Sequence, residues 1–242
     1  MRKLCPYCDG PGPFTREHIW PDWVHRETGY GVNFSSRVGK VLPSALVIRD
    51  VCGPCNNGPL SGLDDSAAAL YRDHFQHWVS AGERVPFRYD HGRLLRWLLK
   101  ISFNSARTTG LDAAILGRYR RVIGSPYDCT PTFAFATVRT IKPAYKTERG
   151  LIVPVQPRGA RCGRILVPDH FEDTRFVARM VSLNAYFFSI FLVDDDDMPP
   201  AEFASLLHRF GVPLTPDGST LIPPPTIDTQ EAMRGVENWP GL

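Results

Sequence analysis

Two periodicities divide the chain. Between about residues 56 and 121 the apolar positions recur at helical spacing, and from Thr130 onward they run as strands do. The first 60 residues are rich in Gly, Pro and turn signals, with two short extended segments. Phe14 to Trp20 alternates and is stopped by Pro21, and Ala45 to Ile48 is aliphatic and β-branched. Asp22 to Glu27 has room for one or two helical turns, and Gly29 to Lys40 reads as a loop. A helix is expected from about Asn56–Ser61 to Ser80, with Leu63, Ala67, Leu70, Phe75 and Trp78 along one side and Pro59 tolerable only in its first turn.

Ala81 to Asp90 reads as a connector. The next expected helix, His91 to Arg107, is amphipathic: at about 100° per residue, Arg93, Arg96, Lys100 and Arg107 share an arc of about 60°, opposite Leu94, Leu95, Leu98, Leu99, Ile101, Phe103 and Ala106. A short helix over Asp112 to Arg121 ends in Arg118, Arg120 and Arg121. Strands follow at Thr132–Ile141, Gly150–Val155, Arg164–Val167, Phe176–Val181 and Ala185–Val193, the last apolar on both faces and therefore central. Pro199 to Phe210 is a helix, and Val212 to Leu242 is a Pro-rich tail expected to pack as an irregular strap. The fold class is α+β: a small N-terminal unit over residues 1–80, then a C-terminal unit, 81–242, with a helical segment and a mostly antiparallel sheet.

Composition alters this picture little. Of 242 residues 43% are hydrophobic and 22% charged, as in ordinary globular chains. No apolar run approaches the roughly 18 residues of a membrane span, and Met1-Arg2-Lys3-Leu4-Cys5-Pro6 has no apolar stretch behind its charges, so a cytoplasmic protein is expected. A net charge of +3 is too small to argue for an anionic partner, so any such argument must come from local placement.

The cysteines carry the first chemistry. Cys5/Cys8 and Cys52/Cys55 form two C-x-x-C pairs, the arrangement in which four thiolates surround Zn²⁺ as a tetrahedron. The alternative, four reduced cysteines packed as small apolar groups, leaves the paired spacing unexplained. Cys129 and Cys162 lack such spacing and read as core or idle thiols. A closed four-thiolate zinc has no open position, so catalysis falls to the polar residues between the pairs. Glu17 and Asn56 offer oxygens to a hard cation, Mg²⁺ or Mn²⁺, and His18 would take a proton from water. A strand points Glu17 and His18 to opposite faces, so their cooperation calls for a local bulge.

Cys5-x2-Cys8, then Thr15-Arg16-Glu17-His18-Ile19-Trp20-Pro21, then Val51-Cys52-Gly53-Pro54-Cys55-Asn56-Asn57-Gly58 resembles the zinc-containing branch of the HNH endonucleases. The resemblance covers about residues 3–66. It implies a ββα-metal fold, Glu17 as metal ligand, His18 as general base, Asn56 as second ligand to Mg²⁺ or Mn²⁺, and hydrolysis of DNA phosphodiesters. One position departs: where the family carries a central Asn that braces the loop of the catalytic His, this chain has Val47.

Other residues have plainer readings. His25, His74, His77 and His91 are expected at the surface or in local hydrogen bonds, and Asp64 and Asp65 suit the first turn of a helix. A supplementary metal role is a minority reading for Asp64. Asp194 to Asp197 reads as a solvated acidic turn. The ridge Arg93, Arg96, Lys100 and Arg107 is either a solvated face or a contact to the DNA backbone, which Arg118, Arg120 and Arg121 would extend. Two rival functions stand beside the nuclease: a zinc-stabilised nucleic-acid-binding module without catalysis, and an effector nuclease controlled by a protein partner. Symmetric double-strand cutting would want a homodimer.

Overall fold

The computed structural model describes residues 3–28, 33–35, 40–42, 47–155, 157–166, 176–193, 200–234 and 236–237. The expected acidic turn at 194–197 and the start of the extended segment at 45–46 lie outside them. The class is α+β.

The chain opens with β1 (Phe14–His18), stopped before Pro21, and α1 (Asp22–Thr28). Within the expected loop, β2 (Asn33–Ser35) pairs with β3 (Lys40–Leu42). β4 (Val47–Cys52) runs antiparallel to β1. Thr15 faces Val51 but Glu17 faces Ile48, so two steps on β1 oppose three on β4. This bulge bends the ribbon next to the Glu17-His18 pair. Helix then covers residues 53–75: α2 (Gly53–Cys55), a π-helical turn (Asn56–Leu60) broken at Gly58, α3 (Ser61–Leu70), and a second π-helical turn (Tyr71–Phe75). It ends five residues before the expected Ser80, and Trp78 is exposed rather than part of the apolar stripe.

The expected connector contains β5 (Val85–Arg88). α4 (His91–Thr109) follows, begun by the Asp90 carboxylate accepting from Arg93 N–H at 2.9 Å and ended by Gly110 at φ 85°. It is not amphipathic in situ. Every residue from Leu94 to Phe103 is buried, because α4 lies between α3 on one side and the main sheet on the other. The expected 112–121 helix is two short pieces, α5 (Ala113–Gly117) and α6 (Arg120–Ile123), both against α4.

The C-terminal half supplies β6 (Ala134–Thr140), β7 (Ala144–Glu148), β8 (Leu151–Val155), β9 (Ala160–Ile165), β10 (Phe176–Leu183), β11 (Tyr186–Val193), α7 (Pro200–Phe210), β12 (Val212–Pro213), β13 (Ser219–Ile222), α8 (Thr229–Met233) and β14 (Val236–Glu237). The main sheet is antiparallel in the order β12-β6-β11-β10-β9-β14. β11 is internal and buried from Tyr186 to Leu192, as its two-faced apolar sequence requires. The tail corrects the expectation of an irregular strap. It supplies both edge strands of the sheet, β12 and β14, and β13 pairs with β5. Gly211 allows the tail to approach β6, since a Cβ there would meet the Val138 carbonyl oxygen at 2.5 Å. β7 and β8 form a separate ribbon, exposed on both faces. No helix among the described residues is long and apolar enough to cross a membrane.

Contacts cross the expected boundary near residue 80. Phe75 is buried against Tyr186 and Phe188 of β11. Asn184, the left-handed residue of the β10–β11 turn, donates to the Phe75 carbonyl at 2.9 Å and accepts from Gly159 N–H at 3.1 Å.

Candidate metal centre and catalytic strand

The four paired cysteines converge. Their sulfurs all lie within 4.8 Å of one another, and Cys8 Sγ is 3.6 Å from Cys52 Sγ. Zn–S bonds of about 2.3 Å give a tetrahedron with edges of about 3.8 Å. The donor set therefore suits a metal ion such as zinc, with the wider sulfur pairs drawn in by up to about 1 Å. Cys5 and Cys8 come from the turn before β1, Cys52 from the end of β4 and Cys55 from α2, so such an ion would join both ends of the hairpin to the helix. Burial alone would raise the Cys5 thiol, but the N–H groups of Cys52, Tyr7 and Cys8 together pull it down to about 7. The Cys55 thiol is driven far up by burial and then by the neighbouring thiols. Four crowded thiolates repel one another unless a cation sits among them.

The knuckle is fixed to the helical layer. Tyr7 Oη donates to Asn104 Oδ1 of α4 at 2.6 Å, and its ring meets Phe103 edge-on at 5.6 Å. Arg120 clamps Asp9 through both guanidinium nitrogens, and Arg121 Nη2 reaches the same carboxylate at 3.3 Å. Two cations of the expected extended basic surface thus serve the knuckle.

Alternation along β1 sorts its side chains as expected: Arg16 is exposed, Glu17 buried and His18 half-buried. His18 Nδ1 lies 3.1 Å from Asp22 Oδ1, the first residue of α1. A proton on Nδ1, held by that carboxylate, leaves Nε2 as the basic nitrogen. Asp22 escaped the sequence reading, although its position one helical turn after His18 and directly after Pro21 was the available signal. Asn56 donates from Nδ2 to Thr15 Oγ1 at 2.8 Å and to the Arg16 carbonyl at 2.9 Å, stapling the helix start to β1. Thr15 Oγ1 in turn donates to the Val51 carbonyl at 3.0 Å. This staple braces the hairpin that carries His18, where Val47 brings no polar group.

Glu17 turns the other way. Only 4% exposed, it takes Lys100 Nζ on Oε1 at 2.8 Å and Asn104 Nδ2 on the same oxygen at 3.2 Å. Lys100 also reaches Asp64 Oδ2 at 2.6 Å, and Trp97 Nε1 donates to Asp64 Oδ1 at 3.2 Å. Burial works against the Lys100 charge, but Asp64 and Glu17 outweigh it and hold its pKa above the ordinary lysine value. Burial pushes the Asp64 carboxyl up to about 6 against the pull of Lys100. The expected Mg²⁺ or Mn²⁺ site of Glu17 and Asn56 does not fit this arrangement. The misfit lies at Glu17, which is sealed beneath β1 with an ammonium on its carboxylate; Asn56 uses its amide nitrogen to hold β1.

The basic ridge of α4 is corrected in the same way. Arg96 is buried, with Nη1 donating to the Tyr127 carbonyl at 2.9 Å and Nη2 to the carbonyls of Ile123 and Ser125. Arg107 pairs with Asp50 and lies over the Phe103 ring. Arg93 holds Asp128 through two contacts of 3.2 Å. With Arg96 and Lys100 buried and Arg107 half-buried, most of the ridge is an interface between two layers of the fold; Arg93 is exposed, at the start of α4. His25 is buried, His74 packs edge-on against Phe87, and His77 is exposed. A cleft of about 460 Å³ opens between α3 and the start of α4, lined in part by Leu70, Tyr89, Arg93 and Trp97. His18, Asp22 and Asn56 do not line it.

Compared with family models, curated proteins and solved structures, the chain has no match.

Proposed function

We propose that the chain is a zinc-scaffolded phosphodiester hydrolase acting on DNA, of the HNH kind, with His18 as general base. The carrying observation is the His18–Asp22 pair on a bulged hairpin bound by the four-cysteine cluster and the Asn56 staple. Asp22 fixes the imidazole so that Nε2 takes the proton of an attacking water. The water oxygen bonds to phosphorus as the bond to the leaving sugar oxygen breaks, and that oxygen takes a proton from solvent. Arg16, exposed on the same face of β1 as His18, would neutralise the phosphate. No step passes through a catalytic Mg²⁺ or Mn²⁺.

The test is plasmid nicking by zinc-loaded protein. His18→Ala should lower the rate by about 100-fold or more, and Asp22→Asn by a smaller factor with a changed pH profile. Undiminished cutting by folded His18→Ala removes His18 from the mechanism. One observation favours the second reading, a nucleic-acid-binding module without catalysis: the acid of the expected acid–His pair is withdrawn into the Lys100 network. Salt-sensitive DNA binding with no cutting under any metal condition would establish it.

A further inference from the structure

Glu17, Asp64, Lys100, Asn104 and Trp97 make a polar cell, buried except at Asp64, whose own ion-binding capacity neither reading above addresses. Its geometry is that of a cation site. Two carboxylate oxygens, Glu17 Oε1 and Asp64 Oδ2, converge on one centre at 2.8 and 2.6 Å. That centre is the Lys100 nitrogen, on a side chain 1% exposed. Asn104 and Trp97 hold the two carboxylates in place from outside, through Glu17 Oε1 and Asp64 Oδ1. The two acids come from β1 and α3 and the cation from α4, three elements distant in sequence.

A hard divalent ion wants oxygen ligands of this kind at about 2.0–2.2 Å and would draw both acids inward. It cannot do so while an ammonium is tethered between them. The tether makes the lysine an intramolecular ligand, present at an effective concentration of the order of millimolar or more, and its release would leave a bare charge in the interior.

We propose that Lys100 is a resident cation occupying the divalent-ion position against Glu17, so that the wild-type chain binds no divalent ion there and Lys100→Met gains such a site between Glu17 and Asp64. The proposal concerns ion binding alone and stands whether or not the chain cuts DNA. Asp64 thereby acquires a specific partner role, and Lys100 becomes a positioning residue that fixes β1 against α4.

The experiment uses zinc-loaded, full-length protein in metal-free buffer, avoiding chelators that would strip the cysteine cluster. Mn²⁺ binding is followed by electron paramagnetic resonance. Tb³⁺ binding is followed by emission sensitised through tryptophan, since Trp97 touches Asp64. Wild type and Glu17→Gln should give the same isotherm. Lys100→Met should gain one site, at least about tenfold tighter than any background site, which the double variant E17Q/K100M lacks. If Lys100→Met is unfolded without metal, added Mn²⁺ should restore its circular dichroism spectrum. Mn²⁺ binding by wild type that Glu17→Gln abolishes would overturn the proposal. So would a folded Lys100→Met with no added site, or an unfolded one that no concentration of Mn²⁺ rescues.

Discussion

The two faces of α4 combine apolar packing and buried charge in different proportions. Toward the sheet, apolar area dominates: β11 buries Tyr186, Phe187, Phe188, Ile190, Phe191 and Leu192 between β6 and β10, and one buried ion pair, Arg179 of β10 with Asp112, lies among them. Toward the hairpin, thiolates and ions carry more of the load: the cysteine cluster, buried Lys100 with buried Glu17 and half-buried Asp64, and half-buried Arg107 with Asp50, beside Tyr7 on Phe103 and Trp20 on Trp97. Apolar packing is non-directional, so a sheet core tolerates volume-conserving exchange. A buried ion pair fixes orientation but is lost wholesale when one partner goes, because the other is left charged and dry. The hairpin that carries His18 is thus placed by the more exacting kind of contact, which suits a strand whose alternation must keep Glu17 inside and His18 outside.

The comparison breaks most completely at the metal. Cys52→Ser, or removal of zinc by a strong chelator, should unfold the hairpin layer, since structural zinc contributes of the order of 10 kcal/mol to small metal-held units. Hydrogen exchange should then show loss of protection in β1 and β4 while β10 and β11 stay protected. Uniform loss across both layers would make the two faces one cooperative unit.

Next come matched lesions on the two faces of α4. Lys100→Ala should cost about 3–5 kcal/mol by stranding the buried Glu17 carboxylate and the half-buried Asp64, and Phe191→Ala about the same by opening a cavity. Only the first should respond to acid. Without the ammonium, both carboxyls protonate more readily in the folded state than in the unfolded chain. The deficit of Lys100→Ala against wild type should therefore be smaller at pH 5 than at pH 8, as read by thermal melts. The Phe191→Ala deficit should not change.

The smallest effect lies at high pH. Lys100 is held above its ordinary pKa in the fold, so its stabilisation is complete below about pH 10.5 and is lost as pH rises through the folded value. Wild-type melting temperature should show an alkaline decline that Lys100→Met lacks.

Much of this was legible in the sequence where one residue type has one physical use. Paired C-x-x-C spacing pointed to the four-cysteine cluster, the apolar recurrence after His91 to α4, and the run from Tyr186 to Val193 to an internal strand. What was not legible depends on direction. A wheel places Arg93, Arg96, Lys100 and Arg107 on one side of α4 but does not say whether that side meets water. Trp97 and Asn104 look like ordinary helix residues until their partners on α3 and β1 are known. β5 was hidden because Pro86 argues against a strand and its partner lies in the tail, at β13. β7 carries no buried face, so no alternation marked it.

Asn184 joins the β10–β11 turn to Phe75, more than a hundred residues earlier in the chain. Synthesis runs from the N-terminus. The segment that bears His18 is therefore made first but completed late. Glu17 on β1 and Asp64 on α3 wait for residue 100 to emerge, and the helix that follows the cysteine cluster is not pinned until the chain has grown past residue 184. Until then the nascent protein carries the proposed base and its own staples without the layer against which they pack.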